Sequence, residues 1–344
     1  MNKKHTKRRR FFLPGITLIT VVIAGLVYYY FFSPMLEKED DIFICIDNND
    51  NIDSVYTKLG AVSSDHGMAG FKTLVRHSPY ADNIRTGRYK IESKNGAFTV
   101  FRKLKNGLQT PVSLTIPEVR TIDRLAGAIA HRMMVDSLTL VRAMTDSATC
   151  AKYGYTPETM VCMFVPNTYD IYWNTPTDKL FEKMKKESDK FWNFEREKKA
   201  EAMGLTKEQV MTLASIVDEE TANNAEKPMI AGMYFNRLKA DMPLQADPTI
   251  KFALKDFDIR RIYHNMLTVN SPYNTYKNTG LPPGPIKVPS VAGIDAVLNH
   301  VHHNYLYMCA KEDFSGTHNF AVTYDEHLSN AARYTKALNE RGVK

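Results

Sequence analysis

Thr206-Lys-Glu-Gln209-Val210-Met-Thr-Leu213-Ala214-Ser-Ile-Val217-Asp218-Glu219-Glu220-Thr221 decides how the larger part of the chain folds. Thr206 and Gln209 stand three apart and fit a capping box, in which each side chain satisfies a free N–H at a helix start. Val210, Leu213, Ala214 and Val217 recur at i, i+3, i+4 and i+7, which is one apolar face of an α-helix. Three acids follow. At about 100° per residue they do not share a direction. With Val217 as zero, Asp218 lies about 100° away, Glu219 about 200°, and Glu220 returns to about 60°. Glu220 is therefore the acid expected to face inward, while Asp218 and Glu219 are expected to meet solvent. Burial penalises a charged carboxyl, raises its pKa and favours the protonated form. A general acid needs that form near neutral pH. The plainer reading is an acid near a helix end that pairs with a base or meets water.

Working outward, helical patterns dominate from residue 114 onward: Thr121–Met134, Leu138–Thr145, Lys179–Ala202 and Pro228–Lys239 flank the first helix. Residues 243–325 are rich in Pro, Asn and Tyr, with short strand-like runs at Tyr305–Ala310 and Asn319–Thr323. The expected fold class is α+β with long loops, which are often functional. Residues 42–113 read as a smaller βααβα module. Ile42–Ile46 and Gly87–Ile91 are its strands, and Ile52–Leu59, Met68–His77 and Phe98–Leu104 its helices. Ser33–Asp41 reads as a polar linker.

Residues 11–32 carry no charge across 22 positions, about 33 Å of helix, enough for a bilayer core. Aromatic residues sit at both ends, as at lipid–water interfaces. Lys3, Lys4, Lys7, Arg8, Arg9 and Arg10 precede the stretch, so residues 1–10 are expected in the cytoplasm and the body outside it. A cleaved signal peptide would have a shorter apolar region ending in small residues. Here it ends Tyr-Tyr-Tyr-Phe-Phe. A single-pass anchor in the inner (cytoplasmic) membrane is the expectation.

The net charge of +7 is mostly that tail; residues 11–344 hold 39 Lys and Arg against 38 Asp and Glu. A near-neutral body gives no support for nucleic-acid binding. Cys45, Cys150, Cys162 and Cys309 are widely spaced, without the C-x-x-C of a zinc or redox site. One disulfide could form in an oxidising envelope, but the sequence does not pair the cysteines, and isolated buried thiols are the preferred reading. His300-Val-His302-His303 could place His300 and His303 on one helix face. There is no H-E-x-x-H and no carboxylate at recognised spacing, so no metal site is expected.

Several further runs follow the acidic helix. They are Met233-Tyr-Phe-Asn236-Arg237-Leu238, Leu244-Gln245-Ala-Asp247-Pro248-Thr249, Ser271-Pro-Tyr273-Asn274-Thr275-Tyr276 and Gly280-Leu-Pro-Pro-Gly-Pro-Ile286. In order and spacing they resemble the YceG-like family, the endolytic murein transglycosylases. The resemblance covers about 114–340. It implies a single membrane anchor, a small LysM-like domain (42–113) and an α+β catalytic domain (114–344). The family's catalytic glutamate is the last acid of its Ile-x-Glu-Lys-Glu-Thr motif, and that position falls on Glu220. Asp218-Glu219 stands where the family often has Glu-Lys. Ile116-Pro-Glu118-Val119 has valine for the glycine of the family's Pro-Glu-Gly segment. Val161-Cys162 replaces the Glu-Gly that often precedes the Phe-Pro-Asp-Thr-Tyr segment, here Phe164-Val-Pro166-Asn167-Thr168-Tyr169.

The resemblance implies a lytic transglycosylase that cleaves the MurNAc–GlcNAc bond of nascent glycan strands, leaves 1,6-anhydroMurNAc ends and so ends polymerisation. Glu220 would be its general acid and base, with no metal or organic cofactor. Peptidoglycan synthases would be its partners. Asn236, Gln245, Thr249, Tyr273, Asn274 and Tyr276 are candidate sugar contacts, since amides, hydroxyls and rings suit a glycan. Each could instead serve its own loop or core. Asp247 is the one obvious second carboxylate, and could equally be a turn or helix cap. His318 is a candidate support for the site. Two other readings stay open: a non-catalytic glycan-binding scaffold, and a hydrolase using Asp247 as the second carboxylate.

Overall fold

The computed structural model describes residues 5–341, with side chains from residue 15. The basic tail is partly beyond it: residues 1–4 lie outside the described residues. The chain divides into two compact units, one of residues 1–113 with 170–175, the other of 114–169 with 176–344.

The smaller unit begins with helix α1 (His5–Val27), which continues as one wider π-turn over Tyr28–Phe32. Gly15–Phe32 is the one stretch among the described residues long and apolar enough to cross a membrane, with mean hydropathy 1.9 and its side chains exposed. That is consistent with a single-pass anchor. Then come β1 (Ile42–Ile46), α2 (Ile52–Gly60), α3 (Asp65–Arg76), β2 (Gly87–Ile91) and α4 (Ala97–Asn106). β1 and β2 pair antiparallel, with Ile42 opposite Ile91 and Ile46 opposite Gly87. Ile46, Tyr89 and Ile91 turn inward onto Val55, Leu59, Phe71, Val100 and Leu104. The period-two alternation of both strands puts those side chains on one face.

The π-turn that ends α1 is fitted to this core. A Cβ on Gly70 would overlap the Tyr30 carbonyl oxygen. Tyr29 stacks on His66 at 4.3 Å, and the His66 ring meets Ser33 Oγ at 3.0 Å. Residues 33–41 are polar in composition, yet they do not run free as a linker. Met35 and Leu36 are buried, and the Met35 N–H and C=O bond to Asn95 and Ser64. The two apolar residues in the segment outweigh its charges, because the core beneath α3 has room for them.

The larger unit is mostly helical. It holds β3 (Val112–Thr115), α5 (Ile122–Ala130), α6 (Ser137–Thr145), α7 (Ser147–Lys152), β4 (Thr168–Ile171), α8 (Thr177–Phe191), α9 (Phe194–Ala202) and α10 (Lys207–Glu220). Then follow α11 (Lys227–Lys239), α12 (Asp247–Leu254), α13 (Val291–Leu298), β5 (Tyr307–Ala310), β6 (His318–Ala321) and α14 (Tyr324–Glu340). The first residues of β3 and the last of β4 fall in the smaller unit. β5 and β6 form an antiparallel hairpin, with His318 opposite Ala310. The helix expected over Lys179–Ala202 is two helices, because Asn193 caps a new start by accepting from Arg196 N–H. α12 and α13 arise where the composition suggested loops, and α14 follows that stretch.

Helix α10 is the spine of this unit. Thr206 and Gln209 do form the capping box. Val210, Leu213, Ala214 and Val217 are fully buried, but so are Met211, Ser215 and Ile216. The helix is enclosed on nearly every side by α9, α11, α12 and α13 rather than lying on the core by one face. Its Ser215 Oγ donates to Thr212 C=O at 2.7 Å and accepts from Ile286 N–H at 3.0 Å, so the polar group is satisfied in the interior.

Candidate active site

Glu220 is the last residue of α10, and the chain leaves the helix at Thr221 in extended conformation. The glutamate opens into a polar cavity of about 310 Å³. Its partner comes from α11, where Tyr234 OH donates to Glu220 Oε1 at 2.6 Å. Burial pushes the Glu220 carboxyl up to about 7; the Tyr234 hydrogen bond opposes the rise, and the negative charges of Asp247 and Glu219 add to it. A carboxyl held there is about half protonated at neutral pH, the condition for giving and then taking a proton. Tyr234, 2% exposed, stays protonated because burial and the adjacent carboxyl both disfavour a phenolate.

Asp247 begins α12, with Pro248 in the first helical turn. Its Oδ1 accepts from Tyr276 OH at 2.5 Å, and both residues line the cavity with Glu220. Gln245 lines it too. Its backbone is left-handed (φ 51°), with N–H bonded to Thr275 C=O at 3.0 Å. His318, first residue of β6, also lines the cavity. Glu226 holds it, accepting from His318 N–H at 2.6 Å and facing the ring Nδ1 at 3.1 Å. The same Glu226 accepts from Thr221 Oγ1 at 3.3 Å, which ties His318 to the end of α10 beside Glu220.

The other four candidate sugar contacts do not line this cavity. Asn236 Nδ2 donates to His303 C=O at 2.7 Å and Tyr305 C=O at 3.1 Å. Asn274 is fully buried and donates to Leu267 and Val269 carbonyls at 2.9 and 2.8 Å, while accepting from Tyr276 N–H. Thr249 is fully buried between Ala246 C=O and Thr275 Oγ1. Tyr273 packs on Phe252 at 4.7 Å and borders a separate cavity with Arg120 and Lys287. Folded loops contain backbone carbonyls that need donors, and Asn236, Asn274 and Thr249 supply them, whereas Tyr273 serves packing. Their effect on the cavity is indirect: Asn274 fixes the loop that presents Tyr276.

The two neighbouring acids are not solvated, contrary to the helical-wheel expectation. Asp218 is buried and accepts from Ser290 N–H at 2.6 Å and Ser290 Oγ at 2.9 Å, with Lys227 Nζ at 2.7 Å. A Cβ on Gly293 would overlap its carboxylate, so α13 approaches α10 only because that residue is glycine. Glu219 takes a bidentate hydrogen bond from Arg120 (2.7 Å at the shortest) and lies 3.8 Å from Lys287. The wheel assumed one buried face, and α13 covers a second. His300 and His303 also depart from expectation, since α13 ends at Leu298 and neither lies on a helix. Their rings bond to Val297 and Met229 carbonyls. Among the described residues, no three His, Cys, Asp or Glu side chains are placed to hold a metal ion. All four cysteines are free thiols.

Sequence reasoning missed Tyr234, Arg237, Glu226 and His327. Tyr234 and Arg237 were in view as neighbours of Asn236. α11 is buried almost all round, however, so its pattern does not single out the side facing Glu220.

The YceG-like family's sequence profile matches residues 44–333, and this chain belongs to that family. It is 28% identical to the endolytic murein transglycosylase of Streptococcus pneumoniae R6, over 84% of this chain and 57% of that protein. It is 40% identical to the endolytic murein transglycosylase of Bacillus subtilis over 39% of this chain and 36% of that protein. The matched part of the chain thus spans just over half the length of the streptococcal relative, and the shorter Bacillus match spans about a third of that protein. A crystal structure of a yceG-like protein from Listeria monocytogenes superposes with a TM-score of 0.56 at 26% identity, covering 85% of this chain and 99% of that one.

Proposed function

We propose that this chain is a lytic transglycosylase acting on murein glycan strands, with Glu220 as general acid and then general base. The observation that carries this reading is the Glu220–Tyr234 pair: one carboxyl near pKa 7 in a cavity, with one oxygen held by a phenol. Protonated Glu220 donates to the glycosidic oxygen as the bond to the muramic C1 breaks. The same sugar's 6-hydroxyl then attacks C1, and its proton returns to Glu220. The nucleophile is intramolecular and already oriented, so one carboxyl suffices. The product carries a 1,6-anhydro end and no water is consumed. Tyr276, Gln245 and His318 line the cavity as candidate sugar-positioning groups.

The same reading extends to the rest of the chain. The βααβα unit is LysM-like, the boundary between the domains falls near 113, and the anchor leaves the body outside the cytoplasm beside nascent strands and their synthases. Digestion of uncrosslinked glycan strands by the full chain in detergent tests it, since Met35 and Leu36 belong to the core of the smaller unit. Anhydro ends that vanish in Glu220→Gln support it. Binding without cleavage under any condition would favour a scaffold instead.

A second reading has one specific observation behind it. Asp247 shares the cavity with Glu220 closely enough to raise its pKa. A hydrolase would use that second carboxylate to activate water, and would leave reducing ends.

A further inference from the structure

The cavity around Glu220 contains an unbalanced cation. Arg237, on α11, is 7% exposed and is the one Lys or Arg among the described residues lining it. Its acceptors are all neutral. Nε donates to Leu306 C=O at 2.6 Å, and Nη1 donates to Pro243 C=O, Leu244 C=O and Gln245 Oε1 at 3.0, 2.9 and 3.2 Å. No carboxylate pairs with it and Nη2 has no hydrogen-bond partner among the described residues. His327 lines the same cavity, and its Nδ1 is shut from solvent without a partner among the described residues. Burial and the Arg237 charge hold His327 below its ordinary pKa, so it is neutral and adds no second cation. A buried guanidinium is costly unless an anion meets it. The loop-stapling role accounts for Nε and Nη1, and the guanidinium lies over the Tyr307 ring at 5.3 Å, which leaves the two Nη2 donors without an acceptor among the described residues.

We propose that Arg237 forms a carboxylate subsite beside Glu220, with its Nη2 binding an acid group carried by the muramic acid residue of the glycan. This rests on the murein substrate proposed above. Muramic acid differs from its neighbour in the strand by a 3-O-lactyl group. In a strand stripped of peptides that group is a free carboxylate; in a stem-bearing strand it is amidated and the carboxylates lie on the stem. A planar guanidinium suits either carboxylate. The subsite would supply the register that puts a muramic C1, and not a glucosamine C1, over Glu220. Without it, two acids in the cavity would only repel an anionic strand.

The test uses the full chain in detergent with Glu220→Gln to prevent turnover. Its binding is compared for a stripped murein oligosaccharide, the same oligosaccharide with lactyl carboxylates converted to carboxamides, and a stem-bearing one. The subsite predicts about tenfold tighter binding of an acid form than of the carboxamide form. Preference for the stripped form over both others assigns the lactyl carboxylate; preference for the stem-bearing form assigns the stem. Adding Arg237→Gln should remove the preference, and Arg237→Lys should restore part of it. Equal binding of all three forms overturns the inference while leaving the enzyme reading intact, and needs no folded Arg237 variant. A preference retained in folded Arg237→Gln also overturns it. Binding of none, with no cleavage by the unsubstituted chain, overturns the murein reading itself.

Discussion

Tyr234 OH holds Oε1 of Glu220 at 2.6 Å, and Oε2 has no protein partner among the described residues. The two carboxyl oxygens are therefore unlike. Oε1 accepts from the phenol, and Oε2 is the oxygen left to carry the transferable proton. The pair sits across α10 and α11, two helices locked by a shared core, so the distance is set by packing rather than by a loop.

The opposed influences on Glu220 give a prediction with two signs. Tyr234 lowers its pKa and Asp247 raises it. The alkaline limb of kcat/KM against pH, where the acid loses its proton, should fall near 7. It should move to higher pH in Tyr234→Phe and to lower pH in Asp247→Asn. Limbs that move together, or neither moving, would contradict the assignment. The pH profile separates this from mere loss of packing.

The raised pKa also costs stability. Between the ordinary carboxyl pKa of 4.5 and about 7 the folded protein binds more protons than the unfolded one. Stability therefore falls as pH rises through that window. The full cost, reached above 7, is about 3 kcal/mol at roughly 1.4 kcal/mol per pKa unit. Glu220→Gln should melt higher than the unsubstituted chain at pH 8, with the difference shrinking towards pH 4.5. A variant that melts lower at pH 8 would remove the case for a strained acid.

Asp218 and Lys227 make a buried pair that also fixes the start of α13 through Ser290. Removing one partner should cost about 3–5 kcal/mol, because the other charge is left buried and unpaired. Lys227→Met and Asp218→Asn, followed by chemical denaturation, read this directly. A loss below 1 kcal/mol in both would mean that water reaches the pair.

Glu226 joins His318 to Thr221, so its effect on the chemistry should pass through position and not through charge at the reacting atoms. Glu226→Gln keeps an acceptor for His318 N–H, whereas Glu226→Ala keeps none. The alanine variant should lose several-fold more kcat/KM than the glutamine one, with the alkaline limb unmoved in both. An equal loss in the two would exclude a positioning role.

Much of this site was legible from residue order, and the misses have physical causes. Glu220 stood out because a capped helix with a regular apolar series fixes the angle of every later residue. Tyr234 did not, because a helix buried on all sides has no periodicity to read. Asn236, Asn274 and Thr249 have the chemistry of sugar contacts, but the loops around them needed donors first. Start signals for the later helices were present in the residues: Pro248 in the first turn of α12, Ser290 as N-cap of α13, and the Thr323–Glu326 capping box of α14. The Pro-, Asn- and Tyr-rich composition of 243–325 outweighed the signals of α12 and α13, while α14 lies beyond that stretch. The long apolar helix near the N-terminus was legible from length and composition; the burial of Met35 and Leu36 was not, because it depends on the folded position of α3, where Gly67 leaves space for Met35.

The central claim is that one carboxyl cleaves the strand without consuming water. Digesting glycan strands in ¹⁸O-labelled water and weighing the new ends tests it most directly. Anhydro ends with no ¹⁸O, absent in Glu220→Gln, are the predicted result. New reducing ends carrying ¹⁸O, lost in Asp247→Asn as in Glu220→Gln, would contradict it and make Asp247 the second catalytic carboxylate.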